Sequence, residues 1–198
     1  MIVITGHLDH LGIRNGKIYN GADDDASGVA ALFAIADYFK NKNPKHTLVF
    51  AAVDAEEIGS LGCDYLLENF PGNSADIALN INMDMIAHND SVLYASGLHH
   101  YPQLKAPLQN IQSPITLKFG HDNPKDKTLD DWTFSSDHRI FHKKKIPYVY
   151  FGVEDHKDYH NYTDTFENIN QQFYINAVKL IIKAIENYDT SITISKPY

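Results

Sequence analysis

Residues 2–39 read IVITGHLDHLGIRNGKIYNGADDDASGVAALFAIADYF. Ile2, Val3 and Ile4 make the continuous apolar run of a buried strand over residues 2–5, and after the Ser27-Gly28 start Val29, Leu32, Phe33, Ala36 and Phe39 fall at helical spacing. A strand, a polar loop and a helix follow one another, and the pattern then repeats. TLVFAAV (47–53) is a second strand, followed by a helix over 61–69 that Pro71 and Gly72 terminate. Strands are predicted at 77–83, 92–95, 115–119 and 147–153, helices at 103–112 and 173–188, a short helix within 132–143, and a loop at 120–131. Unbroken apolar strands that alternate with helices belong in a parallel sheet covered on both sides. The fold class is therefore α/β, with a mainly parallel, twisted mixed sheet and helices on both faces.

The chain of 198 residues suits one domain. Its 43% hydrophobic content supports a sizeable core and excludes a disordered tail. Seventeen basic against 25 acidic residues leave a net charge of -8, the wrong sign for binding nucleic acid through its phosphates. No apolar run approaches the roughly 18 residues of a membrane span, and MIVITGHLDH lacks the basic and apolar regions of a signal peptide. Cys63 is the single cysteine, which excludes an internal disulfide and a thiolate-rich zinc site. Eleven histidines remain as nitrogen donors.

In α/β sheets, functional groups collect beyond the carboxyl ends of the strands. Acids and histidines recur there in this chain: GHLDH (6–10), GADDDASG (21–28), DAEEIGS (54–60), Asp84, and EDHKDYHNYTDT (154–165). A single aspartate ahead of a helix is ordinarily a cap. Capping accounts for one of Asp23, Asp24 and Asp25, whereas three adjacent carboxylates repel one another unless a cation lies near. Glu56 and Glu57 can equally be read as a solvated pair. His10, His99, His100 and His121 are read as solvated surface residues.

The five strings GHLDH, GADDDASG, DAEEIGSLG, NMDM and DYHNYTDT, in this order and at these separations, resemble the co-catalytic dizinc aminopeptidases of metallopeptidase family 28, which include bacterial leucine aminopeptidases. The resemblance covers nearly the whole chain and implies a zinc exopeptidase fold with two zinc ions per chain. It makes His7 and Asp84 ligands of one zinc, Glu57 and His160 ligands of the other, and Asp24 the carboxylate bridging both. Glu56 would be the general base. Asp9 would accept the second N–H of the His7 ring, Asp164 would do the same near His160, and Tyr159 would stabilise the tetrahedral oxyanion. A cis peptide after Asp24 is implied as well. The substrates would be peptides with a free N-terminus, attacked by a metal-bridging water, and the setting of the relatives is secreted or periplasmic. Members carry further strands and a helix ahead of the GHLDH strand, so residues 1–198 are read as one zinc peptidase catalytic domain lacking an upstream segment.

Phe134, Phe141 and Tyr148 are expected to form an apolar pocket for the substrate's first side chain, and His138 to line it or assist at the oxyanion. A glutaminyl cyclase-like member, a carboxypeptidase-like member and a non-catalytic interaction module of the same fold are the alternatives. The intact ligand set argues against the first and third. The scarcity of arginine, with only Arg14 and Arg139, argues against the second. Composition leaves the oligomeric state open.

Overall fold

The computed structural model describes residues Met1–Ile192. In chain order the elements are β1 (Ile2–His7), β2 (Ile13–Arg14), β3 (Lys17–Ile18), α1 (Ala26–Phe39), β4 (Leu48–Val53) and α2 (Leu61–Glu68). They continue with β5 (Leu79–Met83), β6 (Val92–Ser96), β7 (Thr116–Phe119), α3 (His138–Lys143), β8 (Tyr148–Gly152) and α4 (Gln171–Ser191). Six strands form one sheet in the order β4-β1-β5-β8-β6-β7, in which β8 and β6 are the antiparallel neighbours and the other pairs are parallel.

Alternation along β1 shows how both faces are covered. Ile2 and Ile4 pack with Ala31, Leu32 and Ile35 of α1 and with Ala177 and Ile181 of α4. Val3 points the other way, into a cluster with Cys63 and Leu67 of α2 and Ile140 and Phe141 of α3. The mixed α/β sheet read from the sequence is therefore the sheet that forms. From β1 the chain runs through α1 to β4 on one side, then through α2 to β5 on the other. This reversal of winding opens a crevice at the carboxyl end of β1.

Asp25 holds that crevice together. It caps α1 by accepting from the Gly28 N–H (2.9 Å), and it also accepts from the N–H of His7 (3.0 Å) and of Met85 (3.3 Å). One buried carboxylate thus joins the ends of β1 and β5 to the start of α1. Gly28 is required beside it, because a side chain there would collide with the Met83 carbonyl. The Asp24–Asp25 peptide is cis.

One local expectation fails. The helix over 103–112 is two 3₁₀ turns, Pro102–Leu104 and Ala106–Leu108. Pro107 lacks an N–H and its ring crowds the preceding turn, so an α-helix cannot run through it. The short helix expected within 132–143 forms at His138–Lys143. The β2–β3 hairpin was not predicted, although Asn15-Gly16, both at positive φ (51° and 74°), is the turn such hairpins favour.

Away from the crevice, Asp189 of α4 accepts from the N–H groups of Lys45 and His46 (2.8 Å each) and lies 3.0 Å from the His46 Nδ1. Burial pushes its carboxyl pKa up, but these hydrogen bonds outweigh that and hold it below the ordinary value. Its stabilising contribution is therefore present above the unfolded carboxyl pKa of about 3.9 and lost as pH falls through the depressed value. Asp189→Asn should lower unfolding free energy at neutral pH by about 1–3 kcal/mol. Denaturant midpoints should show this deficit shrinking below about pH 4, and a deficit independent of pH would refute the assignment.

Candidate metal centre

His7 is the last residue of β1, and Asp84 directly follows the neighbouring strand β5. This adjacency sets the His7 Nε2 3.5 Å from Asp84 Oδ1 and 3.2 Å from Asp24 Oδ1. The other oxygen of Asp24 faces a different group: Oδ2 lies 3.3 Å from His160 Nε2 and 3.7 Å from His10 Nδ1. Glu57 closes this second group, with Oε2 3.5 Å from His160 Nε2 and Oε1 2.9 Å from His10 Nδ1. Asp24 thus stands between two donor clusters, His7–Asp24–Asp84 and His10–Asp24–Glu57, whose ligand atoms lie within 4.8 Å of one another. The structure brings His7, Asp24, Glu57, Asp84 and His160 together, although residues 7 and 160 are far apart in sequence.

The imidazoles and carboxylates of the site hold one another toward their charged forms. The carboxylates of Asp84 and Asp24 overcome the effect of burial and hold the His7 imidazole pKa well above its usual range. Asp24 is held well below the carboxylate range by His160 and His7, again against the effect of burial. Asp84 Oδ1, Glu57 Oε1 and both ring nitrogens of His10 are buried without a hydrogen-bond partner. Buried polar atoms are normally satisfied, and here the unsatisfied ones are oxygen and imidazole donors converging from several loops. Such a donor set fits divalent ions of the zinc type.

Several side chains differ from expectation. The Asp9 carboxylate lies 3.6 Å from the His7 Nδ1, and its oxygens also accept from the N–H groups of Glu56 (2.9 Å) and Glu57 (3.1 Å). The nearer partner of the His7 Nδ1 is the Asp9 main-chain carbonyl at 3.0 Å. Asp9 therefore positions the loop after β4 as well as the imidazole. Asp164 supports the other side of the site, accepting from the N–H groups of Asp23 and Asp24 rather than from His160. Tyr159 stacks on the His160 ring at 4.0 Å and lines the cleft.

His10, read as a surface residue, lies in the second donor cluster with its side chain only 9% exposed. Its place three residues after His7, in GHLDH, was the available signal. His121 is also buried, stacked on Trp132 at 3.5 Å. Phe141 and Tyr148 belong to the core, and Phe134 is exposed and does not line the cleft. His138 is fully buried, with Nε2 2.8 Å from the Trp132 carbonyl, and burial pushes its pKa down to about 3, so it is a neutral packing residue. The cleft of about 710 Å³ is lined instead by Glu56, Trp132, Arg139 and Tyr159, and by Asp130, Asp131, Glu154 and Asp155 beyond the donor clusters.

A mixed sheet carrying a histidine–carboxylate nest at its carboxyl edge defines an α/β protein of the metal-site class. Within that class the chain belongs to peptidase family M28, whose sequence profile matches residues 1–185. A curated relative from Pyrenophora tritici-repentis described as "Probable zinc metalloprotease" is 42% identical over 69 residues, which is 35% of this chain and 16% of the relative. The LapA aminopeptidase of Legionella pneumophila has a similar fold, with a TM-score of 0.76 at 20% identity over 97% of this chain and 52% of that one. The zinc aminopeptidase BSAP of Bacillus subtilis gives 0.73 at 23% identity, over 98% and 47%. The chain spans about half the length of these two solved proteins and a smaller share of the curated relative.

Proposed function

We propose that the chain is the catalytic part of a two-zinc aminopeptidase that hydrolyses the N-terminal residue from peptides. The observation that carries this reading is Asp24, whose two oxygens face two separate donor groups. His7, Asp24 and Asp84 would hold one zinc, and Asp24, Glu57 and His160 the other, with His10 beside the second. Bound there, zinc would act as a Lewis acid on the scissile carbonyl and lower the pKa of water.

The remaining steps belong to the chain's own side chains. Glu56 lines the cleft next to Glu57, with its backbone fixed by Asp9. It takes a proton from the attacking water and delivers it to the leaving amine nitrogen. Tyr159, stacked on His160 and lining the same cleft, directs its hydroxyl to the developing oxyanion. Carboxylates in excess of the bound cations hold the substrate's free ammonium, so a free N-terminus is required.

The lining also revises the side-chain preference. Asp130, Asp131, Glu154 and Asp155 outnumber Arg139, and Trp132 lines the same cleft. This cleft suits the long stem and cationic head of lysine or arginine better than leucine. The acids are largely exposed, so screening limits their combined effect to roughly 1–2 kcal/mol. Lysyl and arginyl amides should therefore exceed leucyl amide about tenfold in kcat/KM. The test is a panel of aminoacyl amides and their N-acetylated forms. Equal cleavage of acetylated and free substrates would refute the aminopeptidase reading. A leucyl amide that outran the basic ones would refute only the acidic pocket.

A further inference from the structure

We propose that His88, His156 and Asp158 form a separate metal site for a zinc-type divalent ion, which ties the loop bearing His160 to the segment after β5. Among the described residues this is the one further group of histidine and acidic side chains whose ligand atoms lie within 4.8 Å of one another, and it shares no residue with the Asp24 clusters. His88 Nε2 is 3.8 Å from Asp158 Oδ2. Two ligands at about 2.1 Å in tetrahedral geometry stand about 3.4 Å apart, so the His88–Asp158 pair needs to close only slightly around an ion.

The observation that points to a ligand is Asp158 itself. Its side chain is 5% exposed, and Oδ1 accepts from Thr163 Oγ1 at 2.6 Å. Oδ2 is buried with no hydrogen-bond partner and faces His88, whose Nδ1 is likewise buried and unpartnered. Asp23 is buried beside His156 and Asp158 beside His88, and among the described residues neither has a lysine or arginine at ion-pair distance. Buried carboxylates without a cation are costly, and a divalent ion removes that cost.

The tautomer of His156 is already suited to ligation. Its Nδ1 accepts from the Asp158 N–H at 3.2 Å, so the proton resides on Nε2, which donates to Asp23 Oδ2 at 3.0 Å. A carboxylate receiving the distal N–H of a ligating imidazole is the usual outer support of a metal histidine. The Nδ1 lone pair would pass from the long Asp158 hydrogen bond to the metal. The rings of His88 and His156 are stacked at 3.7 Å and 22°. Imidazoles ligate along the ring plane, so binding requires this stack to open. His88 also lines an open cleft of about 760 Å³.

Such an ion would join three segments: 85–90, the loop carrying Tyr159 and His160, and, through Asp23, the backbone that presents Asp24. The proposal stands apart from the aminopeptidase reading and is tested without turnover. The full chain, His88→Ala and Asp158→Asn are equilibrated with buffered free zinc, and bound zinc is counted per folded chain. Both variants should bind one equivalent less than the parent, and unchanged stoichiometry would overturn the site. Because a variant can fail to fold, the unmodified chain supplies a second readout. Zinc should shift the His156 Nδ1 and His88 nitrogen resonances in an imidazole ¹⁵N spectrum, and resonances that stay fixed through saturating zinc would overturn the site equally.

Discussion

Replacing Glu56 by glutamine should lower kcat/KM by roughly 10² to 10⁴ while leaving bound zinc unchanged. The substitution keeps the size of the side chain and the backbone hydrogen bond to Asp9, and it removes only the capacity to take a proton. Burial, followed by the charge of Asp84, pushes the Glu56 carboxyl up to about 8. Cations held on Asp84 and Asp24 would oppose that shift and keep the base ionised at neutral pH. Loading with zinc should therefore move the carboxyl downward, which infrared spectroscopy of the ionised group can follow. A zinc content that fell in Glu56→Gln as it fell in a ligand variant would show that base and ligand had been confused.

Asp24→Asn should have the larger effect. It removes the one carboxylate that faces both donor groups, so on the proposed two-zinc reading bound zinc should be lost and turnover should fall by about 10⁴-fold or more, as several kcal/mol of charge stabilisation disappear. The cost extends to the fold. His7 and His160 would lose the carboxylate that holds each of them toward its charged form, so the variant should also alter the metal-free melting temperature. Retention of the parental zinc stoichiometry would refute the shared role of Asp24. Comparing the two variants separates proton transfer from metal retention, which activity alone cannot do.

The long periodic elements were legible in the sequence because burial on one or both faces writes a period into them. This holds for β1, α1, β4 and α4, whose ends shifted by a few residues at most. The false helix at 103–112 shows the limit: apolar spacing favoured it, and Pro107 within the run prevailed. The short β2–β3 hairpin has no apolar period to read, and its signal was confined to Asn15-Gly16.

The positions of the donors along the chain were decided by the sequence alone. Parallel strands joined by helices all end on one side of the sheet, so motifs placed after β1, β4, β5 and β8 must share an edge whatever their separation along the chain. Which atoms then meet was decided by tertiary structure. The order β4-β1-β5-β8 sets His7 beside Asp84, and Asp164 and Asp25 fix the turn that places Asp24 between the two donor groups. The same non-local packing turned His10 inward and engaged the Asp9 carboxylate with the loop after β4. It also drew Phe141 and Tyr148 into the core and left acids along the cleft. Residue type and spacing specify which element a side chain sits on, but the direction it faces within a loop depends on hydrogen bonds from distant backbone, and only the assembled sheet supplies those.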